Sequence, residues 1–263
     1  MLELNIGELV QWMTRFLWPL FRIAAFFMVV PMIGTQLVPA RVRLTFALVV
    51  ALVVAPLLPP MPVVEGLSFG IVVIVAQQLL IGFALGFMVQ VFFHIFVLAG
   101  QLISTQMGLG FASVSDPSNG VSVVVVSQFY LMLTMMLFLS MNGHLVLVDV
   151  IVDSFRVIPV GMEGMGSASL WMLASTGGWM FASALVLALP ALIALLIVNF
   201  AFGIMTKASP QLNIFAIGFP FTMLFGLFIT WVALAGFLGQ YQVLAEAVME
   251  QVAELLRLGG AGG

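Results

Sequence analysis

Charged side chains stand far apart along this chain, and the positions between them are almost wholly apolar. Uncharged runs cover 23–40, 44–64, 66–115, 117–148, 164–206 and 208–245. Each approaches or exceeds the ~20 residues that cross a bilayer as a helix. Backbone in lipid satisfies its own hydrogen bonds only as a helix or a closed barrel, and these runs lack the alternation of barrel strands. The pattern predicts an all-α, multi-helix integral membrane protein.

A first apolar stretch at 9–33 contains Arg15, Pro19 and Arg22. The two arginines are seven positions apart, nearly on one helix face, and that face should turn from lipid because an intramembrane Arg costs at least ~2.5 kcal/mol. For Arg15 the alternative is a side chain that snorkels to the membrane edge. A second helix, near 44–58, stops among Pro56, Pro59, Pro60 and Pro62. A third starts near 67 and carries no charge through Val114. At ~1.5 Å per residue it is too long for one crossing, so it must kink, overshoot the bilayer or break near 100–110.

A turn at 116–120 leads into a fourth helix that runs to about Met141. Asn142-Gly143-His144 separates it from a short helix with Asp149, Asp153 and Arg156, which Pro159-Val160-Gly161 ends. A fifth helix is expected at 169–205, with Pro190 inside it. A sixth follows at 212–240, with an amphipathic tail bearing Glu246, Glu250 and Glu254. Residues 1–258 read as a single multi-helix domain and the glycine-rich 259–263 as a flexible C-terminal tail.

Composition sharpens the picture. Of 263 residues, 63% are hydrophobic and 6% charged, against about a quarter charged in soluble domains. Soluble enzymes and nucleic-acid binders are excluded. There is no cysteine, hence no disulfide framework and no thiolate metal site. The formal charge of -3 favours no anionic partner. Glu3 and Glu8 occupy the region where a signal peptide is basic, so the N-terminus is expected to stay uncleaved. Six strict spans put Arg41, Arg43 and Lys207 on one side and Arg156 and Arg257 on the other, a balance that fixes no orientation. Several helices are therefore expected not to be ordinary lipid-facing spans.

No catalytic constellation is legible. His94 and His144 are the only histidines, and neither sits in an HExxH pattern or beside a second ligand at helical spacing, so neither metal nor cofactor is expected. In the third helix Gln78, Gly82, Gly86, Gln90 and His94 recur every four residues, a ridge of small and polar groups that lets helices approach and amides bond across. The ridge suits either a neighbouring helix of this chain or other subunits.

Residues 106–120 read as a loop. The glycines permit positive φ and the small polar side chains solvate backbone. Non-helical backbone at membrane depth needs protein or a water-filled cavity around it. Phe111 and Val114 are bulky enough to occlude something, so the segment is either a pore plug or an ordinary turn. The connector at 207–213, with Pro210, Gln211 and Asn213, is a polar interhelix turn. The 18 methionines suit either a deformable seal or core filling.

Several of these pieces occur together in one family. Arg22 with Pro31, the Arg41 and Arg43 pair before a helix ending at Pro56, Gly108-Leu109-Gly110 through Asp116-Pro117, Asn142-Gly143-His144, and Ser209-Pro210-Gln211-Leu212-Asn213 with Gly218 and Pro220 lie in order over nearly the whole chain. In these the sequence resembles the FliR/SpaR/YscT export-gate proteins of flagellar and virulence type III secretion, with the flagellar branch the nearer match.

The resemblance implies kinked hairpin helices that join FliP-like and FliQ-like subunits in a helical export-gate complex. That complex is a channel for unfolded rod, hook and filament proteins, seated in the bacterial inner membrane at the flagellar basal body and raised toward the periplasm. It implies FlhB-like and FlhA-like export components and rod proteins as further partners, contact with membrane lipid, no nucleic acid, no cofactor and no enzymatic activity of its own. It makes 106–120 the plug, with Gly108, Leu109, Gly110, Phe111, Val114, Asp116, Pro117 and Gly120 as gate residues. From their chemistry Phe111 and Val114 occlude, the glycines hinge, and Asp116-Pro117 sets the turn. Arg15, Arg22, Gln78, Gly82, Gly86, Gln90 and His94 become subunit-packing residues, and Pro210, Gln211 and Asn213 the connector. The competing classes are a virulence-type gate subunit, a small-solute secondary transporter for which Pro190 would mark a broken helix, and a membrane scaffold.

Overall fold

The uncharged runs become helices. The computed structural model describes residues 6–32, 34, 38–59, 61–62, 69–109, 125–209 and 214–261. Seven α-helices and no strand occur among them: α1 Ile6–Val29, α2 Ala40–Val54, α3 Phe69–Gln106, α4 Val125–Ser140, α5 Gly143–Val157, α6 Ser167–Ala208 and α7 Ile214–Ala261. A 3-10 turn at Ala55–Leu57 closes α2, where Pro56 has no N–H to continue the ladder.

Four segments are long and apolar enough to cross a membrane: Ala40–Leu57, Phe69–Gln106, Ser167–Ala208 and Gly218–Gly260. The broken pair α4 and α5 together qualifies as a fifth. The break lies at Met141 and Asn142, and Asn142 holds a left-handed φ of 58°, a conformation asparagine tolerates better than most residues.

With 38, 42 and 48 residues, α3, α6 and α7 are far longer than one crossing needs. At ~1.5 Å per residue they run to roughly 57, 63 and 72 Å, against a hydrocarbon core of ~30 Å. The third helix ends inside the expected 100–110 window, at Gln106, after 38 residues without an earlier break. Helix α6 passes Pro190 without a break. Helix α7 joins the expected sixth helix to the acidic tail and continues through Gly259 and Gly260 to Ala261. A flexible tail from 259 was the expectation. Here those glycines allow close packing instead: a Cβ on Gly259 would strike the Ile158 side chain, and one on Gly260 would lie 2.7 Å from the Val157 carbonyl oxygen.

The chain divides into two compact units, one of Met1–Val91, Leu139–Gly177 and Ala247–Gly263, the other of Phe92–Phe138 and Gly178–Glu246. In the first, Ile23, Phe26, Ile81, Leu85, Met88 and Phe155 are fully buried, and in a bilayer they contribute through close packing rather than through removal from water. Helices α1 and α3 meet closely at Gly82 and Gly86, where a Cβ would run into the carbonyl oxygen of Arg22 and lie 2.9 Å from that of Phe26. The Trp18 Nε1–H donates to the Pro62 carbonyl at 3.3 Å, which ties α1 to the segment after α2. Only Ala47, Ala51 and Val54 of α2 are buried; Phe46 sets its ring edge-on against Phe27 of α1 at 4.9 Å, and most of the other apolar side chains are exposed.

The second unit is built on aromatic contacts. Phe93 meets Phe138, Phe96 meets Phe237, and Phe92 meets Tyr241, all at ring separations of 5.3 Å. Tyr130 also reaches Phe237 at 5.3 Å. The pairs are edge-on or tilted, as ring quadrupoles prefer. They hold α4 and this part of α7 against the C-terminal part of α3.

Candidate functional site

The end of α3 is built to stop a helix. Gly108 adopts a left-handed φ of 81°. The Gly108 N–H donates to the Thr105 carbonyl at 3.0 Å and the Leu109 N–H reaches back to Ser104 at 3.1 Å. This is a Schellman cap, in which a glycine without Cβ strain satisfies carbonyls the helix would leave open. A further carbonyl, that of Gln106, accepts from Asn199 Nδ2 of α6 at 3.3 Å.

Helix α7 clasps the same end. A Cβ on Gly108 would lie 2.5 Å from Phe219 Cε1, and a Cβ on Gly226 would strike the Met107 side chain, which is itself fully buried. Two turns earlier, Gly100 abuts the start of α4, where a Cβ would stand 2.8 Å from Ser127 Cα. The chain thus leaves α3 at a capped, clasped point and re-enters at α4 beside α3. Residues 110–124 themselves lie outside the described residues, and both of their flanks are fixed by packing.

A second polar feature lies in the first unit. Arg22 of α1 has no exposed surface. Its Nε–H donates to Gln78 Oε1 at 2.8 Å, Nη1 donates to the Ser154 carbonyl at 2.8 Å and to Ser154 Oγ at 3.1 Å, and Nη2 donates to the Ile158 carbonyl at 2.9 Å. The guanidinium carbon sits 4.1 Å from the centre of the Phe155 ring, a cation–π distance. The ion pairs among the described residues are Arg156–Asp153 and Arg257–Glu254, so neither involves Arg22. Among the described residues no three His, Asp or Glu side chains converge as a metal site.

Residues 13–248 match the family described as bacterial export proteins, family 1. The chain belongs to this family. It is 38% identical over 227 residues to the flagellar biosynthetic protein FliR of Escherichia coli strain K12, covering 86% of this chain and 87% of that protein. The FliR of Pectobacterium carotovorum is 37% identical over the same shares, and that of Bacillus subtilis 29% identical over 82% of this chain and 84% of the relative.

Within this export protein the expected site residues fall into three groups. Arg22, Gln78, Gly82 and Gly86 come together inside one unit, in contacts made by the chain itself. Arg15 and His94 are exposed and Gln90 is half-buried. Of the gate residues, Gly108 and Leu109 form the cap, while Gly110, Phe111, Val114, Asp116, Pro117 and Gly120 lie outside the described residues, as do the connector residues Pro210, Gln211 and Asn213. Sequence reasoning passed over Asn199, Phe219 and Gly226 at the end of α3, and Ser154, Phe155 and Ile158 around Arg22. A lone amide within the uncharged run 164–206 was the one available signal for Asn199.

Proposed function

We propose that this chain is a non-enzymatic subunit of the flagellar type III export apparatus in the bacterial inner membrane. With FliP-like and FliQ-like subunits it lines the channel through which unfolded rod, hook and filament proteins leave, and FlhB-like and FlhA-like components act beside it. Its segment 106–120 is the plug. Phe111 and Val114 occlude the closed path, and Gly110 and Gly120 let the segment withdraw from the fixed cap at Gly108. Family membership and the named relatives support the export role. The observation that supports the plug is the pair of anchored flanks, because a segment that must seal and yet move needs fixed ends with hinges between them, here Gly110 and Gly120. Helices far longer than a bilayer are in keeping with an assembly raised toward the periplasm.

The test joins composition to conductance. Native mass spectrometry of the tagged protein from its own host, in mild detergent, should give one copy of this chain with several copies of two smaller helical proteins. A stable monomer or homodimer would overturn the gate assignment. Deleting residues 110–118 should then leave that complex assembled while it leaks small ions after reconstitution. Unchanged conductance of an assembled deletion complex would overturn the plug.

A further inference from the structure

A buried charge is tolerated only where hydrogen bonds and dipoles replace water. Arg22 meets that condition through neutral groups. Two of its acceptors are the carbonyls of Ser154 and Ile158, at the end of α5 and the residue that follows it. A helix leaves its last carbonyls without partners and carries partial negative charge there, so a guanidinium completes that end both geometrically and electrostatically. The Ile158 N–H donates to the Ser154 carbonyl at 2.9 Å, so the turn that Arg22 grips is the last hydrogen-bonded one.

Beside the Ser154 hydroxyl, the remaining acceptor is Gln78 on α3. Aiming Oε1 at Arg22 leaves the buried Gln78 Nε2 without a hydrogen-bond partner. That arrangement persists only where the bond to Arg22 outweighs the lost one. The acceptors lie in different directions around one plane, with Phe155 on a face, a layout that suits the planar fork of arginine and not the point charge of lysine.

We propose that Arg22 is a conformational latch: delivered from α1, it caps the C-terminus of α5 and pins that end to α1 and α3. The latch is internal to this chain and its unit, so it sets the end of α5 without help from partner subunits. It goes beyond the export reading and does not depend on the plug.

Hydrogen–deuterium exchange with mass spectrometry, on the assembled membrane complex in mild detergent, tests it. In Arg22→Gln the amides of 154–162 should exchange at least tenfold faster, and in Arg22→Lys several-fold faster, while 180–200 of α6 keeps its rate. Exchange at 154–162 within twofold of the parent in Arg22→Gln overturns the latch. So does an equal rise throughout the chain, which reports general loosening, and so does an Arg22→Lys indistinguishable from the parent. If Arg22→Gln fails to accumulate, Gln78→Leu and Ser154→Ala each remove one acceptor. Each should speed exchange at 154–162 about threefold, and no change in either overturns the proposal.

Discussion

Gly82 and Gly177 lie inside helices of the same compact unit, so replacing either by alanine brings the same backbone gain of about 1 kcal/mol. Their surroundings differ. A Cβ added at Gly177 meets no heavy atom within 4 Å. At Gly82 it would run into the carbonyl oxygen of Arg22 and stand 3.0 Å from Ala25 Cβ. The obstacle is backbone of α1, which cannot rotate aside, so the two helices must separate. Overpacking of this kind costs about 1–3 kcal/mol, and a clash with main chain belongs at the upper end. Gly82→Ala should therefore destabilise by about 2 kcal/mol net and Gly177→Ala stabilise by about 1 kcal/mol, a gap of about 3 kcal/mol. The assay is unfolding of the purified chain in mild detergent by rising dodecyl sulfate, followed through the fluorescence of its five tryptophans. Equal shifts of the two variants, within about 0.5 kcal/mol, would refute the claim that α1 and α3 touch through Gly82.

Other outcomes follow from the same contacts. Gly108→Ala forces a side chain into a left-handed position beside Phe219 and should cost about 1–3 kcal/mol, with faster amide exchange at 104–109. Asn199→Ala removes a single bond to the Gln106 carbonyl. It should loosen the same amides by about 0.5–1.5 kcal/mol without disturbing the Arg22 region. Phe96→Ala empties a fully buried position between Phe92, Phe237 and Tyr241 and should lower stability in the same detergent assay by about 3–5 kcal/mol. Arg156→Ala breaks an ion pair between two exposed side chains, and its effect should stay below about 0.5 kcal/mol at any salt concentration.

Helix content and membrane residence are legible in the residues alone, because backbone in an apolar medium must satisfy itself locally and long uncharged runs leave no other solution. For the same reason the end of α3 is visible at Gly108, the four prolines mark the end of α2, and Asn142-Gly143 marks the break before α5. The ridge of Gln78, Gly82 and Gly86 is also a sequence feature, but what it faces is not. Gln78 is 56 positions from Arg22, and Ser154 and Ile158 are 132 and 136 positions away. Likewise the clasp on α3 depends on Asn199, Phe219 and Gly226; only the lone amide of Asn199 stands out in the sequence, and nothing there says what it faces. Pro190 lies inside one continuous α6, as expected, and the break a transporter would need there does not occur. The amphipathic tail expected after the sixth helix prolongs α7, whose last glycines lie against the Val157–Ile158 turn. Periodicity along a chain reports what one segment needs buried. Which group ends up against a lone buried cation or a bare glycine depends on what distant segments bring there, and only the packed structure decides that.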